Sequence, residues 1–336
     1  MLAARTILWP RLLIGIFVLI SAEVFSGASV GPGLWSPWTW AVTYWLYFAH
    51  FFFFTTLAVR TGRTSLSALY LWGVLFGLYE SWITKVIWYG YGGDGKLVLG
   101  RLGPYGYSEI SMVFLFHPVM AFILPLATAC LVCPPLRAFF PDLAWLTARG
   151  RWARTVRVYV TVSFAAILGM NSGGPLNLGL NVAFVLLVLL VVWRLAQPGL
   201  AASDGRALVV FGPRGFVALC LYLLLLYGLT YVYLRPNGLP PLRVQLLTLV
   251  FYAVAVLGLM RSGRQRPAPE AVGSVRRAEL RRVLTLFASV IGMAFLLSLP
   301  AIKQVVYVAA AANLVVWTPL GFVLTALAVI QAWRDG

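Results

Sequence analysis

The sequence predicts an all-α fold, a polytopic transmembrane helix bundle of about ten spans with both termini in the cytoplasm. Three observations carry this expectation. The 336 residues are 61% hydrophobic and only 10% charged; a soluble core of this size cannot bury so much apolar surface, so lipid is the solvent for much of it. The apolar residues come in continuous runs rather than in alternation, which favours helices over a barrel. The basic residues gather in every second loop.

In chain order the apolar runs cover 11–29, 39–59, 66–91, 109–131, 155–172, 178–195, 216–234, 243–260, 283–300 and 306–332. Each approaches the roughly 20 residues that cross about 30 Å of hydrocarbon. The first follows Arg5 and Arg11 with no evident cleavage site, so it reads as a retained span rather than a removed leader. An even number of spans puts both termini on one side. Of the 26 Lys and Arg residues, the loops on that side hold 20 and the opposite side holds 6: Lys85, Lys96, Arg101, Arg235, Arg243 and Lys303. The positive-inside rule therefore assigns the termini to the cytoplasm and the protein to the cell membrane. The formal charge of +17 serves topology and contact with anionic lipid headgroups, and nucleic acid is not an expected partner. Protein partners are not indicated.

Three regions follow. Residues 1–133 form an aromatic-rich membrane half that carries the polar site. Residues 134–154, with Phe139, Phe140, Trp145 and Trp152 among arginines, form a cytoplasmic or interfacial segment. Residues 155–336 form a Leu/Val-rich scaffold half, interrupted by a basic loop at 261–282 in which Pro267 and Pro269 mark a break. No acidic residue lies inside a span of this second half, which argues against a transporter built from two equivalent repeats. The glycine-rich outer loop 92–106 is placed to move over an external opening. Cys130 and Cys133 form a CxxC without the second ligand pair that zinc needs, and read as buried reduced thiols.

The chemistry is expected in the first four spans. An ionisable side chain inside a bilayer is costly and usually faces a bundle interior. Glu80 lies within LSALYLWGVLFGLYESWITKVIWYGY, residues 66–91. In span two, Thr43, Tyr47 and His50 share a face at i, i+4, i+7. In span three, Gly73, Gly77, Glu80 and Thr84 share another, and the GxxxG pair lets a neighbouring helix approach beneath the carboxylate. Lys85 lies about 140° around the helix from Glu80; it is an electrostatic partner if its long side chain reaches back. Span four carries His117-Pro118, then Pro125. Each proline removes a backbone hydrogen bond, so the carbonyls near Phe114 and Ala121 need other partners. His50, Glu80 and His117 fall at similar depth in the outer half of the bilayer. Glu23 in span one lies nearer the outer interface.

The stretch Glu80-Ser81-Trp82-Ile83-Thr84-Lys85 resembles the first motif, EExxxR, of the CAAX-protease and bacteriocin-processing membrane family. Ser81 stands at the second glutamate and Lys85 at the arginine. His117 resembles that family's FxxxH, with Val113 at the Phe position. The family's third motif is a later histidine followed by Asn or Asp; no histidine follows His117, and His50 is left for that space. The resemblance covers two of the ten spans. It implies an intramembrane hydrolase in which Glu80 activates water and the histidines hold the oxyanion or polarise the water.

Three functional classes fit these residues. The first is a hydrolase acting on a membrane-embedded substrate, with Glu80 as general base, His117 and His50 as hydrogen-bonding groups and Lys85 as electrostatic partner. The second is a proton-coupled transporter or channel in which Glu80 and His117 relay protons and the Pro118 kink gates. The third is a cofactor or structural subunit, with His50 and His117 on a haem iron, or joined by Glu80 and Glu23 on a metal. No particular cofactor is indicated. Thr43, Tyr47, Ser81, Thr84 and Glu23 are secondary polar candidates.

Overall fold

The computed structural model of the chain describes residues 2–26, 36–90, 97, 99–143, 150–268 and 277–336. Parts of three expected loops lie outside the described residues: 91–96 and 98 of the outer glycine-rich loop, 144–149 of the interfacial segment, and 269–276 of the basic loop. The chain is a multi-pass helical membrane protein. Among the described residues ten helical stretches are long and apolar enough to cross a bilayer: Ile7–Val24, Thr39–Thr61, Leu66–Thr84, Tyr107–Val132, Ala153–Asn171, Pro175–Ala202, Arg206–Tyr233, Leu242–Arg261, Ala278–Leu297 and Pro300–Asp335.

Helix α1 (Leu2–Leu19) passes into a π-helical turn, Ile20–Val24. A second π-turn, Thr39–Thr43, leads into α2 (Tyr44–Thr61). Helix α3 (Leu66–Thr84) is followed by the single turn α4 (Val86–Tyr89). A two-residue hairpin, β1 (Arg101–Leu102) against β2 (Tyr105–Gly106), precedes α5 (Tyr107–Ser111). The fourth span continues as a π-helical stretch, Met112–Ile123, and ends in α6 (Leu124–Val132). The remainder is α7 (Arg151–Asn171), α8 (Pro175–Ala202), the single turn α9 (Arg206–Val209), α10 (Pro213–Tyr233), α11 (Leu242–Arg261), α12 (Arg277–Leu297) and α13 (Lys303–Asp335).

The third span is shorter than the apolar run that encodes it. The run continues to Tyr91, but α3 stops at Thr84 because Lys85 takes a left-handed conformation, φ 59° and ψ 14°. That region is sterically costly for a residue with a Cβ. Its compensation appears at the functional site.

The chain divides into two compact units, each drawing on segments from both ends of the sequence. The first comprises Met1–Phe48, Leu124–Val209 and Pro267–Asn313; the second comprises Ala49–Ile123, Val210–Arg266 and Leu314–Gly336. In the first unit α1 packs on α8 and α7 packs on α12. Aromatic and polar contacts tie further segments of this unit together: Phe25 stacks on Phe287 at 5.4 Å, Tyr44 donates to the Leu12 carbonyl at 3.0 Å, and Arg137 pairs with Glu279 at 2.8 Å. Glu23, Thr43 and Tyr47 belong to this unit. Tyr47 is buried, while Glu23 and Thr43 are half-buried.

In the second unit α3 is the central element, packed against the π-helical stretch, α10 and α11. Ser65 starts it as N-cap, accepting from the Ala68 amide at 3.3 Å, which satisfies one of the helix's unpaired donors. Lipid supplies no hydrophobic force between helices, so close van der Waals packing must hold them. Gly73 and Gly77 provide it. A Cβ at Gly73 would lie 2.4 Å from the Pro118 Cα, and one at Gly77 would lie 2.8 Å from the Val113 carbonyl oxygen and 3.0 Å from the His117 Cβ.

Candidate functional site

The two glycines that let the fourth span touch α3 also decide which side chains meet. Gly77 lies against Val113 and His117, and Glu80 follows it by one turn on the same face. His117 Nε2 therefore comes to 3.3 Å from Glu80 Oε2. The side chains are 5% and 13% exposed respectively, so Glu80 is the member with access and His117 stands behind it.

The fourth span is π-helical around Pro118 because proline cannot donate and its ring crowds the preceding turn. The widened helix leaves carbonyls to be satisfied otherwise. The Phe114 carbonyl, named in the sequence as needing a partner, accepts from the Tyr70 hydroxyl of α3. The Met112 carbonyl is taken by His117 Nδ1 at 2.7 Å.

That second bond determines the proton inventory. A carbonyl oxygen only accepts, so Nδ1 carries a hydrogen. In a neutral imidazole Nε2 then presents a lone pair to Glu80. Two acceptors at 3.3 Å repel, so the pair holds one further proton, either as imidazolium with carboxylate or as imidazole with carboxylic acid. The contact meets the distance of an ion pair, but among the described residues Nε2 has no directed hydrogen bond. The arrangement is a carboxylate–imidazole dyad with its histidine tautomer fixed by backbone.

The walls are aromatic. Phe76 stacks on His50 at 5.3 Å with an interplanar angle of 12° and contacts the His117 ring at 5.9 Å. The histidines thus meet through a phenyl ring: His50 is fully buried as part of the wall, and Phe76 spaces it from the dyad. Beyond Glu80, Tyr79 packs edge-on against Tyr227 of α10 at 5.5 Å and Tyr252 of α11 at 5.2 Å. The Tyr227 and Tyr252 hydroxyls share a hydrogen bond, Tyr227 donates to the Tyr79 carbonyl at 3.1 Å, and Glu80 acts electrostatically on Tyr227. Sequence reasoning missed both tyrosines. They come from helices read as scaffold, and nothing in a Leu-rich run marks which tyrosine turns inward.

Lys85 departs from expectation. Its ammonium does not turn to Glu80; it donates to the carbonyls of Thr230 at 3.2 Å, Tyr231 at 2.9 Å and Leu234, at the C-terminal end of α10. Arg235 returns the contact, donating to the Thr84 carbonyl at the end of α3 and to the Gly90 carbonyl, both at 3.0 Å. Each cation thus caps the other helix, where the dipole leaves negative partial charge. Both residues are left-handed, with φ 59° and 48°. The reciprocal carbonyl contacts offset that strain and fix the end of α3 beyond Glu80. Thr84 donates back to the Glu80 carbonyl at 2.9 Å, a structural bond. Ser81 is buried, and its hydroxyl has no hydrogen-bond partner among the described residues.

Glu109 is a second buried carboxylate in this unit. It is wholly inaccessible, accepts from the Ser108 hydroxyl at 2.8 Å, and has its other oxygen unpartnered among the described residues. It opens the fourth span, where an acid in sequence looks like an interfacial residue. Its burial follows from Gly106, where a Cβ would lie 2.2 Å from Oε2. Cys130 and Cys133 are buried thiols, and burial pushes Cys133 up to about 11, away from thiolate chemistry. Among the described residues no group of three or more His, Cys, Asp or Glu is placed to hold a metal ion.

An uncharacterized protein of Archaeoglobus fulgidus is 38% identical over 118 residues. The alignment covers 35% of this chain and 36% of the relative. No solved structure matches. An uncharacterized membrane protein family has a sequence model that matches residues 12–333, nearly the whole bundle, and the chain belongs to that family.

Proposed function

We propose that the Glu80–His117 dyad is the acid–base centre of an intramembrane hydrolase acting on an ester or amide of a membrane-embedded substrate. The observation that carries this reading is the 3.3 Å approach of Glu80 Oε2 to His117 Nε2 with Nδ1 bound to the Met112 carbonyl. The resemblance of Glu80 and His117 to the first two motifs of the CAAX-protease and bacteriocin-processing family supports it. The Glu80 carboxylate takes a proton from water, and the hydroxide attacks the substrate carbonyl carbon. Imidazolium Nε2–H of His117 donates to the resulting oxyanion. The proton held by Glu80 then passes to the departing amine or alcohol, which restores the carboxylate.

Purified protein incubated with total membrane extract in heavy-oxygen water tests this without a known substrate. Mass spectrometry should find heavy oxygen in new carboxylic acids with the native chain and none with Glu80→Gln, whose amide cannot take the proton. Equal incorporation with a folded Glu80→Gln protein sinks the proposal.

A second reading is proton-coupled transport. The observation favouring it is the hydrogen-bonded pair of hydroxyls, Tyr252 and Tyr227, whose field reaches Glu80, polar groups next to an intramembrane carboxylate of the kind that proton pathways use. In that case a pH gradient across proteoliposomes collapses with the native chain and persists with Glu80→Gln, and no heavy oxygen is incorporated. In either reading we place the protein in the cell membrane with both termini cytoplasmic and the arginine-rich side against anionic headgroups, on the strength of the charge asymmetry.

A further inference from the structure

The first unit contains a groove of about 530 Å³ between α7 and α12. Four arginines line one end, Arg154 and Arg157 from the start of α7 and Arg281 and Arg282 from the start of α12. The two helices therefore begin at the same end, and their dipoles add positive potential there. Among the described residues no acidic side chain lines the groove; Glu279, next to it in sequence, is turned to Arg137.

Away from the arginines the lining changes character along both helices. Thr161 and Ser289 supply hydroxyls at mid-length, and Val158, Val162, Leu286 and Met293 supply apolar walls. From Arg281 to Met293 the helix rises about 18 Å, close to the roughly 15 Å of one leaflet's hydrocarbon. Val158 and Val162 are exposed, so the groove is open along its side rather than closed over. A cationic end followed by a length in which hydroxyls (Thr161, Thr285, Ser289) alternate with apolar side chains (Val158, Val162, Leu286, Met293) matches an amphiphile with a phosphate headgroup, an ester-linked glycerol and a hydrocarbon chain.

We propose that this groove is a binding site for one anionic phospholipid, its phosphate among Arg154, Arg157, Arg281 and Arg282 and its chain along Leu286 and Met293. The inference is independent of the dyad and rests on the reading that the arginine-rich side meets anionic headgroups. It goes beyond diffuse attraction in assigning one lipid to one place.

Native mass spectrometry of the full chain in detergent, titrated with phosphatidylglycerol or phosphatidylcholine, provides the test. One phosphatidylglycerol should stay bound where phosphatidylcholine does not. Glycerol 1-phosphate, the headgroup without a chain, should fail to displace it. Ser289→Trp, an exposed substitution that fills the groove and keeps every arginine, should remove the bound lipid. The double variant Arg154→Gln/Arg281→Gln should bind roughly thirtyfold more weakly. Retention of phosphatidylglycerol by Ser289→Trp at native strength overturns the groove while leaving headgroup attraction intact. Equal retention of phosphatidylcholine overturns both. Displacement by glycerol 1-phosphate overturns the lipid as ligand.

Discussion

In the first four spans 56%, 67%, 72% and 83% of the apolar stretch is buried, against 39%, 11%, 22%, 22%, 17% and 28% in the last six. The two groups are also written differently, the first in Phe, Tyr, Trp and Gly, the second in Leu, Val and Ala. A helix surrounded by protein needs shape, and rings and glycines interlock. A helix facing lipid needs only to be apolar, and aliphatic side chains suffice. Helices α10 and α11 belong to the exposed group, yet they supply Tyr227, Tyr252 and the carbonyls that hold Lys85. The scaffold therefore completes the site on one side.

Glycine substitutions should separate the two groups most strongly. Gly73→Ala puts a methyl 2.4 Å from the Pro118 Cα, backbone that cannot step aside. Overpacking of this kind costs about 1–3 kcal/mol or more, and separating α3 from the fourth span would also part Glu80 from His117. Gly292 on α12 has nothing within 4 Å of its would-be Cβ. Gly292→Ala should be neutral, or stabilising by up to about 1 kcal/mol through helix propensity. Thermal unfolding in detergent, followed by tryptophan fluorescence, reads both. Equal midpoints for the two variants would mean that the GxxxG face is not a packing surface.

Part of this was legible in the sequence, for a physical reason. Gly73, Gly77, Glu80 and His117-Pro118 declare themselves by local spacing, and membrane solvent makes an isolated carboxylate conspicuous. The GxxxG face, the carbonyl freed near Phe114 and the Glu80–His117 encounter all follow from such local signals. Lys85 illustrates what does not. Its role depends on a left-handed backbone at a non-glycine residue and on carbonyls about 145 positions away; no periodicity encodes either. Arg235 shares that invisibility. Glu109 was hidden by its position at a span end, where exposure and burial look alike in sequence, and the burial is set by the hairpin that precedes it.

Lys85 supports a second prediction of intermediate size. Lys85→Met keeps the apolar stem and removes the ammonium, which leaves the final carbonyls of α10 without their donor in a water-poor setting. The expected loss is about 2 kcal/mol, within the range for hydrogen bonds to a charged group. Lys303→Met, at an exposed position where α13 begins, should move stability by less than about 0.5 kcal/mol. Arg235→Met should resemble Lys85→Met, because the caps are reciprocal. If Lys85→Met unfolds at the native midpoint, the clamp contributes no stability.

The smallest expected difference concerns single hydroxyls. Tyr70 donates to the Phe114 carbonyl that Pro118 leaves unpaired, whereas Tyr233 at the end of α10 is 77% exposed. Interhelical hydrogen bonds in membrane proteins average about 0.6 kcal/mol and reach about 1.7. Tyr70→Phe should sit toward the upper part of that range, since the carbonyl it abandons has no proline N–H to return to. Tyr233→Phe should be silent. The same substitution thus reads out burial and partner together, with ring packing held constant. A Tyr70→Phe protein as stable as Tyr233→Phe would mean that the π-helical stretch satisfies Phe114 by itself, and that its conformation owes nothing to α3.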